Sequence, residues 1–327
     1  MPHQGLDRLA VKTSIKTLSY IVFLWIAQVW AAPFAYITNQ GSNDVAVVDL
    51  ATQQVTARIP VAAKPAGVAV CVPCKRVFVT HPGTKELSAI DPATNKVAGS
   101  VKVGDGPLGI GVRPASQEVY VADWYLHKVT VIDGATLKTV AEVPTGKSPS
   151  GIAFTPDGHW AYVADRDDNQ VSVIDAEQRQ VAARIPVGKH PFGVTVSADG
   201  QRVYVANVMS SEVSVIDTGT RQVSATIKVG SYPYASAIDT KTQRLFVTNQ
   251  HDDNVSVIDL KDLKVLKTLE VGGYPEGINA DPAGGTIYVS SWFDGELDVL
   301  DAQTLQIKQR IKTGDGSRAF GNFIGVW

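Results

Sequence analysis

A proline recurs every 42 residues, at Pro65, Pro107, Pro149, Pro191, Pro233 and Pro275, and the residues beside it hold most of the chemistry this chain could perform. Before it stand Lys64, Gly106, Ser148, His190, Tyr232 and Tyr274; after it stand Ala66, Leu108, Ser150, Phe192, Tyr234 and Glu276. A seventh copy has Ser317 in place of proline, with Gly316 and Arg318 beside it and Phe320 just beyond. The later copies therefore gather His190, Phe192, Tyr232, Tyr234, Tyr274, Glu276, Arg318 and Phe320. Trp124-Tyr125 and Trp292-Phe293, in a second variable loop, add four more rings. Aromatic rings with one acid and one base suit a contact surface, because aromatic residues and Arg dominate binding hot spots. The same residues also suit plain architecture: rings can plug an axis, and Glu276 with Arg318 can be an ion pair that holds the chain closed.

Other reactive residues point to less. The two cysteines, Cys71 and Cys74, lie three apart in a turn between predicted strands. In an exported chain such a pair reads as a disulfide; a redox role needs a helix N-terminus, and zinc needs four ligands. His81, His127, His190 and His251 fall in loops of one face, but no His-x-His or His-x-x-x-His spacing preforms a metal site, so no metal and no cofactor is expected. Asp165, Asp167, Asp168 and Asn169 resemble a piece of a calcium loop without its glycine and terminal glutamate. There is no Gly-x-Ser-x-Gly elbow, no phosphate-cradling glycine loop before a helix, and no Cys-x-x-Cys-His for covalent haem. No catalytic residue is assigned.

The elements that must position these residues follow from the period. An aspartate ends a Val-Ser-Val-Ile-like run at Asp49, Asp91, Asp133, Asp175, Asp217, Asp259 and Asp301, with no insertion anywhere. One unit, 147–188, reads as four strands: Gly151 to Phe154, Trp160 to Ala164, Val171 to Ile174 and Val181 to Pro186. We label them A to D. Turn signals separate them, and no segment keeps a helical period. Apolar residues on both faces of these strands demand packing on both faces. Radial four-stranded sheets meet that demand, which predicts an all-β, seven-bladed propeller over residues 32–327. Gly67, Gly109, Gly151, Gly193, Ala235, Gly277 and Ala319 keep the inner strands small where they crowd the axis. The first unit lacks strand A, and residues 315–321 match the loop and strand A of a further unit. The C-terminal segment should therefore complete the first blade and close the ring. In such a ring the D–A and B–C loops share one face, here called upper.

The strand B motifs carry a family resemblance. Tyr36-Ile37-Thr38-Asn39, Phe78-Val79-Thr80-His81, Tyr120-Val121-Ala122-Asp123, Tyr204-Val205-Ala206-Asn207 and Phe246-Val247-Thr248-Asn249 make residues 35–325 resemble a YVTN-type β-propeller. The resemblance implies the fold firmly and the function only broadly. Similar propellers occur in surface-layer proteins, periplasmic binding proteins, quinoprotein amine dehydrogenases and haem-d nitrite reductases. Binders of single-stranded nucleic acid also occur, but the charge of this chain speaks against that.

Residues 1–31 lie outside the repeat. Arg8, Lys12 and Lys16 precede an apolar run from Leu18 to Trp30, and Val29-Trp30-Ala31 offers a cut site. This reads as a secretory signal cleaved after Ala31, too short for the ~20 residues of a membrane span. Removing it leaves 27 basic and 31 acidic residues, a net charge of −4, and no basic patch for nucleic acid. The expectation is a periplasmic or secreted binding or scaffolding module that presents its upper face to a protein, peptide or small ligand. The rival expectation is a periplasmic enzyme or redox subunit that uses the central funnel for a quinoprotein-like, metal or haem chemistry.

Overall fold

The computed structural model describes Met1, residues 33–114 and residues 116–327. The expected signal segment lies outside the described residues. Chain contacts divide the protein between residues 31 and 32, and the second unit is the ring of blades. Among the described residues, no helix is long and apolar enough to cross a membrane.

Seven four-stranded antiparallel sheets make the propeller. Six blades are consecutive along the chain, and the first combines strands Pro33–Asn39, Asp44–Asp49 and Gln54–Pro60 with the C-terminal strand Ile324–Val326. In the unit used above, strands A to D span Pro149–Phe154, Trp160–Asp165, Gln170–Asp175 and Gln180–Pro186. Two short 3-10 turns, Arg166–Asp168 and Gln250–Asp252, are the helical elements among the described residues.

The repeat residues explain the blade. Tyr36, Phe78, Tyr120, Tyr162, Tyr204, Phe246 and Tyr288 occupy one strand B slot, and all are buried between sheets. The recurring aspartates start the C–D turns: Asp133 Oδ1, for instance, accepts from the N–H groups of Ala135 and Thr136 at 3.0 and 2.7 Å. Near the axis, a methyl on Gly151 or Gly193 would collide with the carbonyl oxygen of Phe192 or Tyr234 in the next blade, which is why that slot stays small.

Ring closure has its own register. Ser317 bridges Asn39, and the pairing then resumes at Ile324 opposite Ala35. In the third blade Pro107 faces Asp123 and Ile110 faces Val121. The closing strand therefore carries two more residues in its bulge than the regular blades do. Positive φ at Ala319 (46°) and Gly321 (122°) accommodates them. The strand that closes blade 1 is Ile324–Val326, beyond the expected 315–321.

Candidate functional site

Three slots, each repeating at 42 residues, build a funnel at the upper mouth of the ring. One slot directly follows strand B and supplies Gln40, Pro82, Trp124, Arg166, Val208 and Gln250. The residue before the loop proline supplies Gly106, Tyr232 and Tyr274, and the residue after it supplies Leu108, Phe192, Tyr234, Glu276 and Arg318. With Tyr125 they enclose about 430 Å³, within the usual range for small-ligand sites.

Backbone hydrogen bonds tie these slots together. The N–H of Trp124 donates to Gly106 O at 2.9 Å, that of Gln250 to Tyr232 O at 3.0 Å, and that of Trp292 to Tyr274 O at 3.1 Å. Acidic side chains fix the loops from below. Asp123 accepts the N–H groups of Asp105 (2.8 Å), Gly106 (3.1 Å), Tyr125 (3.0 Å) and Leu126 (3.0 Å), which sets the position of Trp124. Asp253 Oδ1 accepts from Tyr274 N at 2.8 Å, and Asp252 Oδ2 from Ser231 N at 2.6 Å. His190, Tyr232 and Tyr274 all have left-handed backbone, with φ of 52°, 55° and 57°. That conformation is costly for bulky residues.

The rings divide into a floor and a wall. Phe192 stacks on Tyr234 with centroids 4.1 Å apart, and Phe320 packs 5.0 and 5.4 Å from the two. Trp124 lies 6.1 Å from Phe192 and is covered by the Arg166 guanidinium at 5.4 Å. This buried layer separates the funnel from a larger chamber of about 720 Å³ along the axis, lined by the inner strands. Phe192, Tyr234 and Phe320 are thus buried rings beneath the funnel. The wall runs from Tyr232, stacked on His251 at 3.5 Å, to Tyr274, which packs against Phe293 and Trp292 at 5.0 and 6.0 Å.

A polar network is set into the floor. Arg318 Nε lies 2.8 Å from Glu276 Oε2, and Arg318 Nη2 donates to the Tyr234 hydroxyl at 2.8 Å. Gln250 Nε2 donates to Glu276 Oε1 at 3.0 Å. The Arg318 Nε–H is not directed at the carboxylate, so that nitrogen and Glu276 Oε2 are both buried without a hydrogen bond and are joined by charge alone. Burial pushes the Glu276 carboxyl up, against the pull of Arg318 and Gln250. Burial also pushes the Tyr234 hydroxyl up, while Arg318 works the other way. Burial would lower Arg318, but Glu276 and Tyr234 hold it above its ordinary value.

Of the residues expected from sequence, Trp124, Phe192, Tyr232, Tyr234, Tyr274, Glu276 and Arg318 meet around the funnel. Phe320 lies beneath it and Trp292 behind Tyr274. His190 does not line it: its Nδ1 is buried without a partner, and burial beside Arg166 lowers its pKa. The other upper-face histidines are separately engaged. His81 Nδ1 lies 3.0 Å from Ala62 O, and His127 Nδ1 accepts from Ser148 N at 3.1 Å. Among the described residues, no group of three or more His, Cys, Asp or Glu is placed to hold a metal. Arg166 and Gln250 were not expected, since that loop had been read for aromatic residues alone; scanning the slot after strand B for any variable side chain would have found both. Cys71 and Cys74 form a disulfide across the A–B turn of blade 2, on the opposite face.

No curated protein matches this chain. Its fold is similar to that of a hydrazine synthase of Kuenenia stuttgartiensis (20% identity, TM-score 0.72, covering 86% of this chain and 99% of the other). It is also similar to a functionally unknown protein from Desulfotomaculum acetoxidans (16%, 0.76, covering 90% and 98%). A third similar structure is the dihydro-heme d1 dehydrogenase NirN in complex with DHE (15%, 0.66, covering 86% and 73%). At these identities the likeness is one of fold. The model of the cytochrome D1 heme domain matches residues 118–237 and 209–319. That match overturns the expectation of no cofactor. With the two matches together spanning 118–319, well over half of its length, the chain belongs to the cytochrome D1 heme domain family.

Proposed function

We propose that this protein is an exported binding propeller whose upper funnel takes a planar, acidic, haem-type ligand. One observation carries the reading: a ring of aromatic side chains encloses a funnel whose floor holds the guanidinium of Arg318. A cation of this kind gains strength from the low dielectric around it, and a carboxylate is the natural partner of a guanidinium. Tyr232, Tyr274 and Trp124 offer ring faces for stacking, which is worth about 1 kcal/mol per aromatic pair. Arg166, over Trp124, offers a second cation at the rim, already paired with Asp167 at 2.5 Å.

These residues fit the ring and acidic edge of a haem-type group. They offer its iron no His, Cys or Met, and the ligand-type residues of the described lining are tyrosines: Tyr125, Tyr232, Tyr234 and Tyr274. No reaction step is therefore assigned through the iron, and the binding reading takes precedence over a resident redox centre. The YVTN-type strand motif is, in this reading, the form in which the family's blade is written here. The secretory signal read from the sequence at 1–31 supports a periplasmic or secreted location.

Titration of the purified chain with iron protoporphyrin IX, followed by tryptophan fluorescence, tests the proposal. Quenching should saturate at one ligand per chain. Tyr274→Leu and Arg318→Ala should weaken it, while Arg113→Ala, at the far mouth, should not. Equal binding by all of these variants would move the site away from the funnel.

A further inference from the structure

We infer that the funnel recognises the flat ring and acidic edge of its ligand and is indifferent to the metal at the ring's centre, so that metal-free and metal-bearing rings are held alike. This rests on the reading of the funnel as a site for a haem-type ligand and narrows it to a carrier or substrate site.

The donor atoms around the cavity carry the inference. Iron in proteins is held by His, Cys, Met or Tyr. Three repeating slots and Tyr125 supply the described lining, and the first three residue types are missing from it. The oxygens that remain within the floor are engaged. The Tyr234 hydroxyl accepts from Arg318, and burial keeps its proton on. One Glu276 oxygen accepts from Gln250, and the other faces the Arg318 charge at 2.8 Å. Burial also pushes the Tyr274 hydroxyl up, away from the phenolate a metal would need. The histidines nearby lie outside the described lining: His251 stacks on Tyr232, and His190 has its Nδ1 buried. In contrast, ring faces and guanidinium donors are supplied on several sides. Binding energy is thus offered to the organic part of the ligand and withheld from its centre.

The test uses three probes on the purified full chain: iron protoporphyrin IX, metal-free protoporphyrin IX, and the dimethyl ester of the metal-free ring. The expected result is that the metal-free acid binds as tightly as the iron form or more tightly, to within about threefold. The ester should bind roughly ten- to a hundredfold more weakly, because hydrogen bonds to charged groups are lost. His190→Ala should leave the ratio of the two acids unchanged. Tighter binding of the iron form by about tenfold or more, reduced by His190→Ala or accompanied by an iron-ligation band in the visible spectrum, would overturn the inference while leaving the haem-type site intact. Equal affinity of ester and acid would overturn the acidic-edge part. Failure of both acids to bind would remove the ligand reading itself, and the inference with it.

Discussion

At the lower mouth of the ring, some A–B turns that need positive φ use glycine: Gly158, Gly200 and Gly284 have φ of 70°, 71° and 74°. At the upper mouth, the loop slot that needs positive φ holds His190, Tyr232 and Tyr274. Glycine takes that conformation without steric cost, whereas a bulky residue gives up about 1 kcal/mol. Left-handed leucines also occur in the outer C–D turns, at Leu137 and Leu305, but those side chains pack against the core. Tyr232 packs against the core as well, but it and Tyr274 also stack on neighbouring rings and border the open cavity. One mouth meets the left-handed turn with glycine or a polar side chain. The other accepts strain to present rings.

Deleting residues 315–327 is expected to have the largest effect, because it removes the strand that closes blade 1 and leaves an unpaired edge. Aggregation in size-exclusion chromatography is the expected outcome; a monomer with unchanged melting would remove the closure described here. Arg318→Ala should cost about 3–5 kcal/mol, since it leaves the buried Glu276 carboxylate unpaired. Adding Glu276→Gln should restore much of that stability in denaturant melts without restoring ligand binding. If stability and binding returned together, the upper mouth would be ordinary architecture like the lower.

His81 sharpens the contrast through pH. Burial lowers its pKa from 6.5 to about 4, with the Ala62 carbonyl and Glu86 acting the other way. The unfolded chain takes up a proton as pH falls below about 6.5, whereas the folded chain waits until about 4. Stability is therefore full above the unfolded pKa and falls as pH drops through that window, by about 3 kcal/mol in all. His81→Asn, which copies Asn39, Asn207 and Asn249 of the same slot, should flatten the profile in urea melts between pH 7 and 4. At the lower mouth, Cys71→Ser with Cys74→Ser should cost about 2 kcal/mol or less, because the bond closes so short a loop. Tyr232→Gly should leave the melting point nearly unchanged, relief of backbone strain offsetting about 1 kcal/mol of lost stacking, yet weaken ligand binding. A clear gain in binding would end the claim that the upper strain serves the site.

The period made the blades legible. It placed the strand B aromatics, the turn aspartates and the crowded inner glycines, all of which depend on local sequence. It did not show the two extra bulge residues of the closing strand, because register there is settled by contacts between the two ends of the chain. Variation within slots pointed to Trp124, Tyr232, Tyr274, Glu276 and Arg318, since the fold leaves those positions free to vary. It could not say that Phe192, Tyr234 and Phe320 would sink into a floor while Tyr232 and Tyr274 stood as a wall. That division follows the depth of each slot: Phe192 and Tyr234, after the proline, are buried, and Tyr232 and Tyr274, before it, are half-buried. His190 stands outside the described lining.

The closing strand also has a consequence in time. In chain order blade 1 comes first, and Arg318 and Phe320 follow the strands of all six later blades. Six blades can be complete while the funnel still lacks its cation and part of its floor. In the proposed reading the funnel can hold its ligand only once the ring has locked, so that ligand retention would report that the last strand has found the first.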